Sequence, residues 1–496
     1  MKYKVLFVFC LLFSISGAAL AEDYTFDYDA NCNKAYQYYM SLHTAEGNAM
    51  VRREIIQHPY NLMATYLADY DDCLLLLLNC DKKEYEQRKS HLDARLELLE
   101  QGDERSPWQR LCRAGIYLHW ALVHVRLGDN FKAATLFRKS YLLIKENNEK
   151  FPSFEYNKVF LGLEETVVGT IPDNYKWIAS MFGMKGNVRK GVEKLETFIN
   201  KHNNDDPLQQ EAIILHTYLK FYLLSQQPVV WNFLNSNQFP THNNLLFTFV
   251  KANIAVNYRK ADATIGILKE EEGNSEYSNF PIFHYEMASA LLYKQDAASI
   301  SYFKKFLNAY KGKLFVKDAW QKMGLAYYLE HDMKQANYCM SQIIKQGNAQ
   351  VDADKQALRF AEKGEWPNIT LLQARLYLDG GYYKQALEKL NTVNEHSFSN
   401  ISDKLEYCFR LGRACDELGS ESKALQYYQQ TINMGRDHTD YFAARAALQM
   451  AFIFEHTGRP KEALERYREC LSMHNHDFQS SIDQQAKAGV NRLTVK

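Results

Sequence analysis

Arg375 and Arg413 are each followed four residues later by an acid, Asp379 and Glu417. Four residues is close to one helical turn, so each arginine has a carboxylate within reach, in a pair worth only about 0.2–0.5 kcal/mol. A stronger anion from elsewhere can displace so weak a partner. Two guanidinium forks side by side would grip a carboxylate or a phosphate. That chemistry is recognition. For bond-making the chain offers no H-E-x-x-H, no G-x-S-x-G, no phosphate-binding Gly-Lys loop and no G-x-G-x-x-G. His474 and His476 with Asp477 bring two imidazoles and a carboxylate together, but no partner pair lies nearby at metal-site spacing, and a loop is expected there. His119 and His124, five apart, point to different sides of a helix. The reading is therefore of a non-enzyme without catalytic residue, metal or cofactor. An enzyme built on a helical frame is the weakest alternative, because 59 acidic residues cannot be sorted into a catalytic pair without geometry.

The elements that must carry these arginines are marked by small residues. Six times a turn residue sits seven after one small residue and five before another. The turns are Gly128, Gly186, His331, Gly381, Gly419 and Gly458. Ala121, Ala179, Gly324, Ala374, Gly412 and Ala451 precede them; Ala133, Gly191, Ala336, Ala386, Ala424 and Ala463 follow. Two helices joined by a short turn approach closely only where neither carries bulk. Four residues further on comes a bulky knob: Phe137, Leu195, Met340, Leu390, Tyr428 or Tyr467. With ten prolines and no strand-type alternation, the expected fold is all-α. The pattern predicts helices near 33–57, 61–79, 83–101, 107–127, 213–223, 245–257 and 283–293, with an extra one over 352–362. Polar breaks fall at 201–207, 270–280 and 395–403. Residues 22–106 read as an N-terminal helical region, 107–346 as degenerate repeats, and 347–496 as regular repeats closed by a polar-faced helix over 479–493.

The stretches Leu405–Gly435 and Tyr441–Met473 closely resemble tetratricopeptide repeats, and Asp318–Gln346 and Ile369–Val393 nearly as well. More loosely, Gly169-Thr170-Ile171-Pro172, Trp177 and Met181 to Asn187 are similar to the central segment of the inclusion-body-clearance type of tetratricopeptide protein. The whole chain looks like secreted tetratricopeptide proteins of the Bacteroidota kind. The resemblance implies a right-handed α-solenoid that holds a protein or peptide partner on its concave face, along the first helices of the last three repeats. In this register the inward residues are Asn368, Leu371, Arg375 and Leu378; Phe409, Arg413 and Asp416; and Arg445, Leu448, Phe452 and Glu455. The second reading is a glycan-binding protein similar to the SusD-like family, also helical-repeat and aromatic-rich. Tyr36, Tyr38 and Tyr39, or Tyr382 and Tyr383, would then stack on a sugar; as knobs between helices they would only pack.

Lys2 and Lys4, the apolar run Val5–Phe13 and Ala19-Leu20-Ala21 read as a secretory leader over residues 1–21, which makes the mature chain an exported, periplasmic or envelope-associated protein. Association with envelope complexes is an expectation on the same ground. Phe9 before Cys10 lacks the small residue of a lipoprotein site, which counts against the SusD-like reading. No later stretch reaches the roughly 20 apolar residues of a membrane span. Basic and acidic residues balance at 59 each, which argues against a nucleic-acid partner. The cysteines after the leader fall mostly at apolar helical positions, and pairs seven apart on one helix lie about 10 Å apart, too far for a bridge. They read as small buried hydrophobes, with Cys32 the least predictable.

Overall fold

The computed structural model describes residues 23–171, 183–224, 226–241 and 243–494; the leader-like residues 1–21, with Pro172, Trp177, Ala179, Met181 and Phe182, lie outside them. Among the described residues the chain is helical, with one isolated bridge between Thr25 and Asn61. Helices pair across short turns: Pro107–Leu127 with Asn130–Lys150, Val316–Leu329 with Met333–Lys345, Ile369–Gly380 with Tyr383–Leu390, Ile401–Glu417 with Glu421–Gly435, and Phe442–His456 with Pro460–Ser472. Stacked in sequence, they form an α-solenoid.

Each pair is closed by the same local physics. Gly128, Gly381, Gly419 and Gly458 take left-handed φ values of 83°, 86°, 74° and 73°, and His331 one of 60°. That conformation ends a helix by turning its last carbonyls onto the following amides. Asp129 and Asp332 then start the second helix by accepting from the amides of Lys132 at 3.1 Å and Gln335 at 3.0 Å. Gly186 is the exception, being required for space: a Cβ there would lie 2.3 Å from the Glu165 carbonyl oxygen.

The small residues sit at the helix crossings. Ala336, Ala374, Ala386, Ala424, Ala451 and Ala463 are fully buried. A Cβ on Gly412 would meet the Tyr428 ring at 2.6 Å, and one on Gly191 the Gly162 carbonyl oxygen at 2.5 Å. Leu195, Leu390, Tyr428 and Tyr467 are the expected buried knobs. Phe137 and Met340 are only half-buried, and Leu136 and Cys339, one position earlier, take the inner place.

Some expected boundaries move. The helix expected over 33–57 is two, Ala30–Met40 and Thr44–Gln57, because Leu42 is buried in a left-handed turn with φ 62°. The one over 83–101 divides at Lys89 into Lys82–Arg88 and Ser90–Glu100. The 395–403 break is shorter, since Asn400 accepts from the Asp403 amide at 2.7 Å and starts its helix at Ile401. One core cluster runs from Phe26 to Leu376 and another from Leu405 to Ala486. All eight cysteines after the leader are buried free thiols, Cys32 included.

Candidate anion-binding groove

Successive repeats place an acid four residues after the small residue of the first helix, Asp416 after Gly412 and Glu455 after Ala451. These acids have an internal task. The knob Tyr428 donates its hydroxyl to Asp416 Oδ2 at 3.1 Å, and Tyr467 donates to Glu455. Arg492 of the terminal helix Gln479–Thr494 grips Glu455 with Nε at 3.0 Å and Nη2 at 2.9 Å. In the preceding repeat the equivalent residues are Leu378 and Leu390, and both are apolar.

The remaining inward residues separate into two sets. Leu371 and Leu448 are fully buried and pack the core, so they present nothing to a partner. Asn368 is committed as a helix cap, its Oδ1 accepting from the amides of Thr370 at 3.0 Å and Leu371 at 3.3 Å. Arg375 lies outside the cavities, and the expected local pairing forms at Arg413 but not at Arg375. Leu378, Phe409, Arg413 and Arg445 do converge, around a cavity of 350 Å³. Asp416 and Phe452 line an adjoining one of 1020 Å³, which shares Arg413 and Arg445 with the first.

Two arginines outside the expected set complete the lining. Arg410, one turn from Arg413, is held by Glu406 Oε1 at 2.9 Å and 3.1 Å. Burial opposes its charge, but Glu406 more than offsets this and the ionisation is pushed up. Arg259 comes from a left-handed turn, φ 59°, after helix Leu245–Asn257. Its backbone is pressed against the Gly381 turn, where a Cβ would lie 2.1 Å from the Arg259 carbonyl oxygen. Arg259 Nη1 and Arg413 Nη2 then share a single acceptor, Glu417 Oε1, at 2.5 Å and 2.6 Å.

Arg445 is different. It has no carboxylate partner among the described residues, and its Nη1 donates to Gln485 Oε1 at 3.4 Å. Burial, then the charges of Arg413 and Arg259, push its ionisation down from the usual arginine range. A guanidinium held among like charges in a partly enclosed site is short of an anion. Asp379 is the one acid lining this cavity, against four arginines.

The groove continues away from the arginines. The 1020 Å³ cavity shares Tyr222 and Asn257 with a third of 640 Å³, lined by Tyr218, Phe249, Tyr285, Tyr293 and Phe315. There Glu286 accepts from Asn253 Nδ2 at 2.7 Å, and burial pushes its carboxyl up to about 6. By contrast Tyr36 and Tyr39, read as sugar platforms or knobs, are fully buried, while Tyr38, Tyr382 and Tyr383 are half-buried.

The class defined by fold and site is a helical-repeat protein with an arginine-lined groove. No protein-family model matches the sequence, and no curated protein matches it. Among solved structures the chain is similar to one in the human IFIT1 dimer with m7Gppp-AAAA, at 16% identity over 81% of each chain and a TM-score of 0.32. It is also similar to a chain of the APC/C hetero-tetramer Cut9-Hcn1, at 11% identity over 93% of this chain and 95% of that one, TM-score 0.23. A chain of Naa15/Naa10 bound to HypK-THB matches at 14% identity over 93% and 65%, TM-score 0.23. None of the described helices is long and apolar enough to cross a membrane.

Proposed function

We propose that this protein is a non-enzymatic binding scaffold whose groove holds an extended, acidic peptide segment of a protein partner. The observation that carries the reading is Arg445, a charged side chain without a carboxylate at the head of a groove it shares with Arg259, Arg410 and Arg413. A carboxylate placed there would supply the missing charge and accept from more than one guanidinium. The aromatic stretch beyond it offers flat, apolar surfaces to the rest of the segment. The leader-like start supports an exported protein of the cell envelope, for which a mature N-terminus at Glu22, read by mass spectrometry, is the expected finding.

A glycan reading has one observation in its favour, the aromatic and amide lining of the 640 Å³ cavity by Tyr218, Tyr222, Asn253 and Asn257. Selection of a displayed random peptide library on the intact chain separates the two. Enrichment of acidic peptides that is lost on Arg445→Met supports the peptide reading; no enrichment, with retention of oligosaccharides on a glycan array, supports the other.

A further inference from the structure

The N-terminal edge of the fold holds a second polar constellation, far from the groove residues Arg410, Arg413 and Arg445 in sequence. Asp29 caps helix Ala30–Met40 with one oxygen, Oδ1 accepting from the Cys32 amide at 2.8 Å, which leaves Oδ2 directed at His58 Nδ1, 3.6 Å away. Glu54, on helix Thr44–Gln57, is fully buried. Its Oε1 lies 2.9 Å from the same His58 nitrogen and accepts from Asn61 Nδ2 at 2.8 Å; its Oε2 accepts from Asn31 Nδ2 at 2.9 Å. One potential donor atom from each of Asp29, Glu54 and His58 lies within 4.8 Å of the other two.

Two features set this cluster apart from an ordinary surface network. A fully buried carboxylate is costly unless hydrogen bonds and a positive charge compensate it. Asn31 and Asn61 supply hydrogen bonds to Glu54, and the charge is left to His58 or an ion. Among the described residues no lysine or arginine pairs with Glu54, and none lines the 750 Å³ cavity in front of it, where Asp23 and Asp27 add further negative charge. The only basic group at hand is the exposed imidazole of His58. The second feature is spacing. Two donors about 2.1 Å from one ion, at octahedral to tetrahedral angles, stand about 3.0–3.4 Å apart. The His58–Glu54 and His58–Asp29 separations of 2.9 Å and 3.6 Å bracket that range.

We propose that Asp29 Oδ2, Glu54 Oε1 and His58 Nδ1 form a binding site for a first-row divalent metal ion, with water from the cavity completing its coordination. One imidazole nitrogen with two carboxylate oxygens is a donor set for Zn²⁺ or Mn²⁺, not the all-oxygen shell of Ca²⁺. Asn31 and Asn61 hold the Glu54 carboxylate in place, as outer partners of a ligand do. The ion takes the Nδ1 lone pair of His58, which a proton on that nitrogen would otherwise occupy. Binding therefore releases a proton when His58 starts protonated, and weakens as pH falls. It also ties the chain before the first helix to the end of the second.

The test is calorimetric titration of the intact, metal-stripped chain with Zn²⁺, repeated on His58→Ala and Asp29→Asn. His58→Ala takes the basic partner from the buried Glu54 and is expected to lower the metal-free melting temperature, so thermal melting first checks that the variant is folded. Asp29→Asn, which leaves the His58–Glu54 pair in place, keeps the test independent of that loss. One site per chain is expected, weakened at least tenfold by either substitution and unchanged by His474→Ala or His476→Ala. A rise in melting temperature with Zn²⁺ is expected in the unsubstituted chain and absent in His58→Ala. Undetectable binding at millimolar Zn²⁺, or equal binding by the unsubstituted chain and His58→Ala, overturns the proposal.

Discussion

His119 shows how much a single residue can hold. It is buried between Asp69 Oδ2 at 2.9 Å and Glu211 Oε1 at 3.5 Å, while Arg95 and Trp120 also donate to Asp69, at 2.8 Å and 3.0 Å. Burial opposes its charge, but the two acids prevail and push its ionisation up to about 9. A group raised this way stabilises the fold fully below the unfolded value of about 6.5 and loses that contribution as pH climbs through about 9. The loss is about 3 kcal/mol, so the urea midpoint is expected to fall between pH 6.5 and 9.5, and His119→Gln is expected to flatten that fall. Arg445 carries the opposite signature, its charge being disfavoured by its surroundings. Arg445→Met is therefore expected to leave the melting temperature equal or higher, by up to about 2 kcal/mol of stability, as when buried charges give way to apolar groups. A clear drop would mean that the arginine serves the fold. The sequence holds a signal for this residue: Arg375 and Arg413 have acids four positions on, whereas Arg445 has Gln449. His119 gave no such signal, because its partners lie 50 and 92 residues away and only tertiary packing joins them.

At the scale of the helix pair, spacing of small residues was enough to place the crossings, since close approach is a local steric demand repeated at fixed intervals. Ala424, fully buried against the first helix of its repeat, tests that placement. Ala424→Leu is expected to cost about 1–3 kcal/mol through overpacking, read as a lowered melting temperature. The terminal helix makes a sharper case. A Cβ on Gly489 would lie 2.2 Å from the Tyr467 ring, so Gly489→Ala is expected to loosen helix Gln479–Thr494 and speed proteolysis within it. Unchanged cleavage would contradict that contact. What spacing could not supply was the exact rotation of each helix. Leu136 and Cys339 displace the expected Phe137 and Met340 from the inner place, and Leu42 divides one expected helix because a buried left-handed turn has no fixed sequence cue in a leucine. The same limit explains Leu371 and Leu448: a one-residue change of facing moves a side chain from groove to core.

The whole molecule adds what no repeat contains. Arg259 and Glu417 are 158 residues apart, yet their ion pair draws the turn after Leu245–Asn257 against the last regular repeats and builds the arginine cluster across the groove. Half of that cluster, Arg413 and Arg445, was legible from repeat register; Arg259 was not, because its position depends on how the degenerate middle of the chain stacks on the end. The most direct measurement of the central claim is calorimetric titration of the intact chain with an acidic peptide recovered by library selection, compared with Arg445→Met and Arg375→Met. Losing a charged hydrogen-bond partner costs about 1.5–3 kcal/mol, or about 10- to 100-fold in Kd. The groove predicts that loss for Arg445→Met, with Arg375→Met binding as the unsubstituted chain does. Equal Kd for the unsubstituted chain and a folded Arg445→Met would contradict it.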